Sequence, residues 1–155
     1  LELTVSTRAA LSVRDPLALT LTARNAQRAP FVLAHSMDGS FEHMREPFVD
    51  LYLQRLSDNA IYRYSAVGSR CGMVNPVGTD DLQTLAQGEQ STSPFSAWAQ
   101  HLHDAHVPVA GRYRLWVVYR VCDQARLRGM SEGFTVPPQL LLDRVRSNSI
   151  ELAVQ

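Results

Sequence analysis

The chain's 155 residues, 45% of them apolar and 19% charged, suit one folded domain with its own core and exclude a disordered chain or a pair of ordinary domains. Fifteen basic residues, all arginine, balance fifteen acidic ones to a formal net charge of zero, so no global field is available to hold a phosphate polymer or an anionic membrane, and nucleic acid is not an expected partner. With no lysine there is no lysine Schiff-base chemistry, and no apolar run approaches the ~18 residues that a membrane span needs.

Leu1, Leu3 and Val5 alternate with Glu2, Thr4 and Ser6, and Leu11 with Val13 extends this first strand toward Asp15-Pro16. The alternation begins at once and without methionine, so we expect a leader or a longer upstream segment ahead of Leu1. Leu17, Leu19, Leu21 and Ala23 predict a second strand, a turn follows over 25–28, and Pro30 starts a third strand over 31–36. Asp38-Gly39 marks a turn before a strand over 48–56, which Ser57-Asp58-Asn59 closes as a hairpin onto 61–65. Residues 66–80 read as a long loop containing Cys71, and Leu82 and Leu85 lead to a turn at Gln87-Gly88-Glu89. An extended piece then runs to Phe95, placed at a sheet edge by Pro94. Trp98, His101, Leu102 and Ala105 fall at helical spacing and predict a short helix over 96–106, stopped by Pro108.

Residues 111–121 form the most regular stretch of the chain. Tyr113, Leu115, Val117, Tyr119 and Val121 alternate with Arg112, Arg114, Trp116, Val118 and Arg120. Side chains two apart share a sheet face, so the first set predicts a core face and the second a basic frame around Trp116 and Val118. Residues 122–147 make a second long excursion, in which Pro137 and Pro138 are expected to open a helical turn through 140–145, and Ile150, Leu152 and Val154 form the closing strand. The expected fold is all-β: a single immunoglobulin-like antiparallel β-sandwich over 1–155, with roughly seven to nine strands and one or two short helices in loops.

The segments Leu17-Ala18-Leu19-Thr20-Leu21-Thr22-Ala23-Arg24-Asn25, Ala29-Pro30-Phe31-Val32-Leu33, Val49-Asp50-Leu51-Tyr52-Leu53, Leu85-Ala86-Gln87-Gly88-Glu89, Ala97-Trp98 and Ala110-Gly111-Arg112-Tyr113-Arg114-Leu115 occur in an order that resembles the bacterial intracellular proteinase inhibitor family. The resemblance covers residues 17–121 and implies an immunoglobulin-like sandwich with an inhibitor-like, protein-binding role. It carries over no inhibitory residue, and the long loops at 66–80 and 122–147 depart from the family's layout.

No catalytic set emerges. Gly129-Met130-Ser131-Glu132-Gly133 has the letters of a hydrolase nucleophile elbow but lacks the strand before it and the helix after it. His101, His103 and His106 cluster, and a histidine set with a further loop ligand would suit zinc or copper, yet the spacing matches no regular site. No cofactor is expected. Cys71 and Cys122 are the only cysteines, and a bond between them would tie the two long loops together in an oxidising, periplasmic or secreted setting, with a loop-closure contribution of about 4 kcal/mol.

Two regions carry interface chemistry. Arg114 and Trp116 on the outer face of the central strand are residue types enriched at binding hot spots; the alternative is that arginines pack over the Trp116 indole within the fold. The loop residues Arg126, Arg128, Met130 and Phe134 form the second set, expected beside the turn at 25–29 in immunoglobulin-like topology. The expected function is a non-catalytic, extracytoplasmic protein-binding module, inhibitor-like or neutralising. The alternatives are an accessory or structural domain of a larger secreted or surface protein, and a periplasmic metal-binding protein using His101, His103 and His106.

Overall fold

The computed structural model describes residues 1–7, 13, 19–34, 49–64, 78–94, 109–120, 135, 137–141 and 144–155. Within them the chain is all-β. Ten strands run in order: β1 (Glu2–Thr7), β2 (Leu19–Arg24), β3 (Phe31–Ala34), β4 (Val49–Arg55), β5 (Ile61–Tyr64), β6 (Leu82–Leu85), β7 (Gln90–Pro94), β8 (Gly111–Tyr119), β9 (Val145–Arg146) and β10 (Ile150–Val154). All paired strands are antiparallel. The largest sheet has the order β10-β8-β4-β5 with β9 also on β8, a second has the order β1-β2-β7, and β3 pairs β6.

The alternation of residues 111–121 places β8 between β4 and β10, where both of its edges are hydrogen-bonded. Its inward set, Tyr113, Leu115, Val117 and Tyr119, is 0% exposed. These side chains join Leu51 and Leu53 of β4, Leu3 and Val5 of β1, Leu21 and Ala23 of β2, and Leu152 and Val154 of β10 in one core. Each such leucine withdrawn from water contributes on the order of 2 kcal/mol before chain entropy is counted.

Three short polar devices fix the register. Asn25 ends β2 with its side chain fully buried: the amide donates to the carbonyls of Ala29 and Leu85, both at 2.9 Å, and its oxygen accepts the Gln27 N–H at 2.8 Å. Its own backbone bonds Glu89 and Gly88, so one residue holds the β2–β3 turn against the β6–β7 turn. Gly88 (φ 81) supplies the positive φ that this second turn requires. Ser147 spans an irregularity between β9 and β10, where the pairing with β8 shifts by one residue as in a β-bulge; its hydroxyl accepts the Val117 N–H at 2.9 Å and donates to the Asn148 carbonyl at 2.7 Å. Asn148 then clasps the edge of β1, accepting from the Val5 N–H at 2.7 Å and donating to the Val5 carbonyl at 3.1 Å. That edge is thereby satisfied by a side chain in place of a strand.

Two features differ from the sequence reading. The helical turn expected from Pro137 through 140–145 is, among the described residues, a single turn, closed by the Leu140 N–H on the Pro137 carbonyl at 3.0 Å, with Val145 already in β9. Val32 of β3 takes over the backbone, its N–H bonding Gln139 and its carbonyl accepting from Leu141, both at 2.9 Å; those bonds form a parallel bridge that a helix would forfeit. The strand count also exceeds the expected one because β6 and β9 are strands by pairing, without alternation of their own. Among the described residues the only helical piece is a 3-10 turn, Thr79–Asp81, and no helix is long and apolar enough to cross a membrane. The helix expected at 96–106 lies outside the described residues.

Candidate basic-aromatic face on the five-stranded sheet

The outer face of this sheet is built from the residues that alternate with the core set. β8 supplies Arg112, Arg114, Trp116 and Val118, with Arg120 just beyond it; β4 supplies Asp50, Tyr52 and Gln54; β5 supplies Ile61 and Arg63. Register sets the rows across the strands. Tyr52 lies opposite both Trp116 and Arg63, Asp50 opposite Val118, Val118 opposite Arg146, and Arg114 opposite both Gln54 and Glu151.

The Trp116–Tyr52 pair is a direct cross-strand stack, with ring centroids 5.4 Å apart and planes within 2°. Arg146 places its guanidinium 4.4 Å from the Trp116 centroid, and Arg63 sits 5.9 Å from that of Tyr52. The row thus reads cation, ring, ring, cation across four strands, an arrangement in which each positive charge faces a ring's electron-rich side. Trp116 is consequently only 9% exposed and Val118 8%. Trp116 is therefore the floor of the face, while its rim is made of arginines. The cation over the indole is Arg146 of β9, a residue that strand alternation along 111–121 does not single out.

Asp50 anchors the next row. Its side chain is 1% exposed and accepts from Arg63 Nη2 at 3.0 Å and from Arg120 Nε at 2.9 Å and Nη2 at 3.4 Å. A buried carboxylate is tolerable only when paired and hydrogen-bonded, and two guanidinium groups meet that condition here. At the other end of the sheet Glu151 accepts from Arg112 at 2.9 Å and from Arg114 at 3.3 Å. These are solvent-exposed pairs, worth little individually, and their arginines stay accessible, Arg112 at 73% and Arg114 at 44%.

Beyond this face, Arg55 bonds Asp58 in the β4–β5 turn and holds its carboxyl down to about 2, helped by the Ala60 N–H. Asn59 (φ 60) takes the left-handed position of that turn, which asparagine tolerates. Burial pushes the Tyr119 hydroxyl well above the ordinary tyrosine range, and burial also raises Tyr64, with Tyr113 and Tyr62 adding to the shift.

The structure places Arg114 and Trp116 on one face, and for Trp116 it bears out the alternative: an arginine, Arg146, packs over the buried indole within the fold. The other expected interface residues, Arg126, Arg128, Met130 and Phe134, lie outside the described residues, as do Cys71 and Cys122 and the His101, His103 and His106 cluster. Among the described residues no group of three or more His, Cys, Asp or Glu side chains is arranged to hold a metal ion. Sequence reasoning missed Tyr52, Asp50, Arg63 and Arg146; the signal for the first three was the alternation of β4 and β5 itself, which fixes their side of the sheet once the hairpin is set. No family model, no curated protein and no solved structure matches the chain.

Proposed function

We propose that the protein is a non-catalytic binding module: an immunoglobulin-like sandwich that recognises another protein through the outer face of its five-stranded sheet. The fold reading is supported by the strand orders β1-β2-β7 and β10-β8-β4-β5, which parallel the A-B-E and G-F-C-C′ orders of immunoglobulin-type sheets, with the β3-β6 ribbon added. The observation that carries the functional reading is the Trp116–Tyr52 stack flanked by Arg146 and Arg63, with the exposed Arg112 and Arg114 on the same face. Arginine side chains that are already positioned lose less conformational freedom on binding than mobile ones. The expected location is periplasmic or secreted, with Cys71 and Cys122 joined.

The test is affinity capture from an extract of the source organism with the full chain as bait, followed by titration of the purified captured protein. One protein enriched over a mock bait and binding in the micromolar range or tighter is the expected result. Failure of any protein to bind the purified chain contradicts the reading.

A further inference from the structure

We propose that the ligand of this face is an acidic protein surface, engaged by Arg112, Arg114, Arg63 and Arg146 through paired carboxylates; this rests on the protein-binding reading above. The argument is one of local charge. Asp50 is held by both Arg63 and Arg120, which leaves that cluster one positive charge in excess. Arg112, Arg114 and Arg146 then add three guanidinium groups against one further carboxylate, Glu151, among the described residues. In a chain of zero net charge, the described residues of this face thus carry a positive excess. Arg146 has no acidic partner among the described residues: its polar contact is the Ser149 hydroxyl at 3.4 Å, and the Trp116 ring holds it in place.

The chemistry favours carboxylates on a protein over a phosphate polymer. Guanidinium groups bind carboxylates and phosphates alike as two-point pairs, and fixed ones do so with least loss of freedom, so the distinction rests on what else a phosphate polymer needs. Nucleic acid is held by a continuous field and by rings open for stacking. Here Trp116 is buried beneath Arg146 and offers no open ring for a base to stack on. Glu151 holds Arg112 and Arg114 in position through its two oxygens. Ile61, 59% exposed at the β5 end of the same face, adds an apolar contact.

The test uses fluorescence anisotropy of labelled poly-L-glutamate with the full chain, and labelled duplex DNA in a parallel arm. Binding of poly-L-glutamate is expected, weakened about tenfold or more by Arg112→Glu with Arg114→Glu and lost as salt rises. Arg112→Gln with Arg114→Gln should give the same direction with less strain beside Glu151. Arg24→Glu with Arg28→Glu makes the same change in net charge on the β2 strand and turn, and should leave binding within about twofold of wild type. No binding of poly-L-glutamate, equal binding by the Arg112/Arg114 variants, or tighter binding of DNA overturns the inference. Because the assay needs no natural partner, a failed capture from extract counts against the protein-binding reading alone.

Discussion

The Tyr119 hydroxyl donates to the Ala34 carbonyl at 3.1 Å and accepts the Ala34 N–H at 3.2 Å, tying the end of β8 to the end of β3 inside the core. Both Ala34 and Tyr119 are fully buried, so no solvent replaces the hydroxyl when it is removed. Tyr119→Phe should therefore cost about 1–3 kcal/mol, measured as a shift in urea midpoint at unchanged slope. Amide exchange should quicken first in β3.

The same tyrosine gives a pH dependence with a definite sign. Tyr119, and to a lesser degree Tyr64, has its ionisation pushed upward by burial. The folded state thus resists losing a proton that the unfolded chain gives up near its ordinary value of about 10. The stabilisation this represents is fully present below that value and is lost as pH rises beyond it. Urea midpoints from pH 8 to 11 should fall steeply above about 10 in the wild type, and Tyr119→Phe should flatten the fall.

Asp58 behaves in the opposite sense. Its hydrogen bond from Arg55 lowers its carboxyl to about 2, so the contribution is present above the ordinary carboxylate range and disappears as pH drops through about 2. Carboxyl-carbon NMR should follow Asp58 titrating below the ordinary carboxylate range. In Arg55→Ala it should return toward about 4.

Asp50 predicts non-additivity. Arg63 and Arg120 both bond its buried carboxylate, so either alone can still neutralise it. Arg63→Ala should cost about 1 kcal/mol, whereas Arg63→Ala with Arg120→Ala leaves a buried charge uncompensated and should cost about 3 kcal/mol or more, beyond the sum of the singles. Chemical denaturation of the four proteins in the cycle decides it.

Much of this architecture is written in side-chain alternation. Tyr113 to Tyr119 against Arg112 to Val118 fixes both faces of β8, and the Ser57-Asp58-Asn59 turn fixes the β4–β5 hairpin. Alternation stops where pairing alone defines a strand. In β6, Leu82 and Leu85 stand three apart, the two-residue β9 is too short to show a period, and the bridge at Leu140 exists because Val32 has backbone groups to satisfy. The candidate face was half legible for the same reason. Arg114 and Trp116 belong to one strand and share its period, but Tyr52 meets Trp116 and Arg146 covers it only through inter-strand register. Register depends on how turns and bulges place whole strands, and Ser147, which shifts it beside Trp116, looks like any other loop serine in the sequence.

Arginine-selective footprinting with phenylglyoxal, read by mass spectrometry with the chain alone and in complex with its captured partner, tests the binding face most directly. Arg112 and Arg114, the exposed arginines beside Glu151, should lose reactivity on complex formation together with Arg63, while Arg24 of β2 and Arg28 of the turn after it stay as reactive as in the isolated chain. Unchanged reactivity at Arg112, Arg114 and Arg63, with protection at Arg24 or Arg28, would contradict the assignment of this face as the site of recognition.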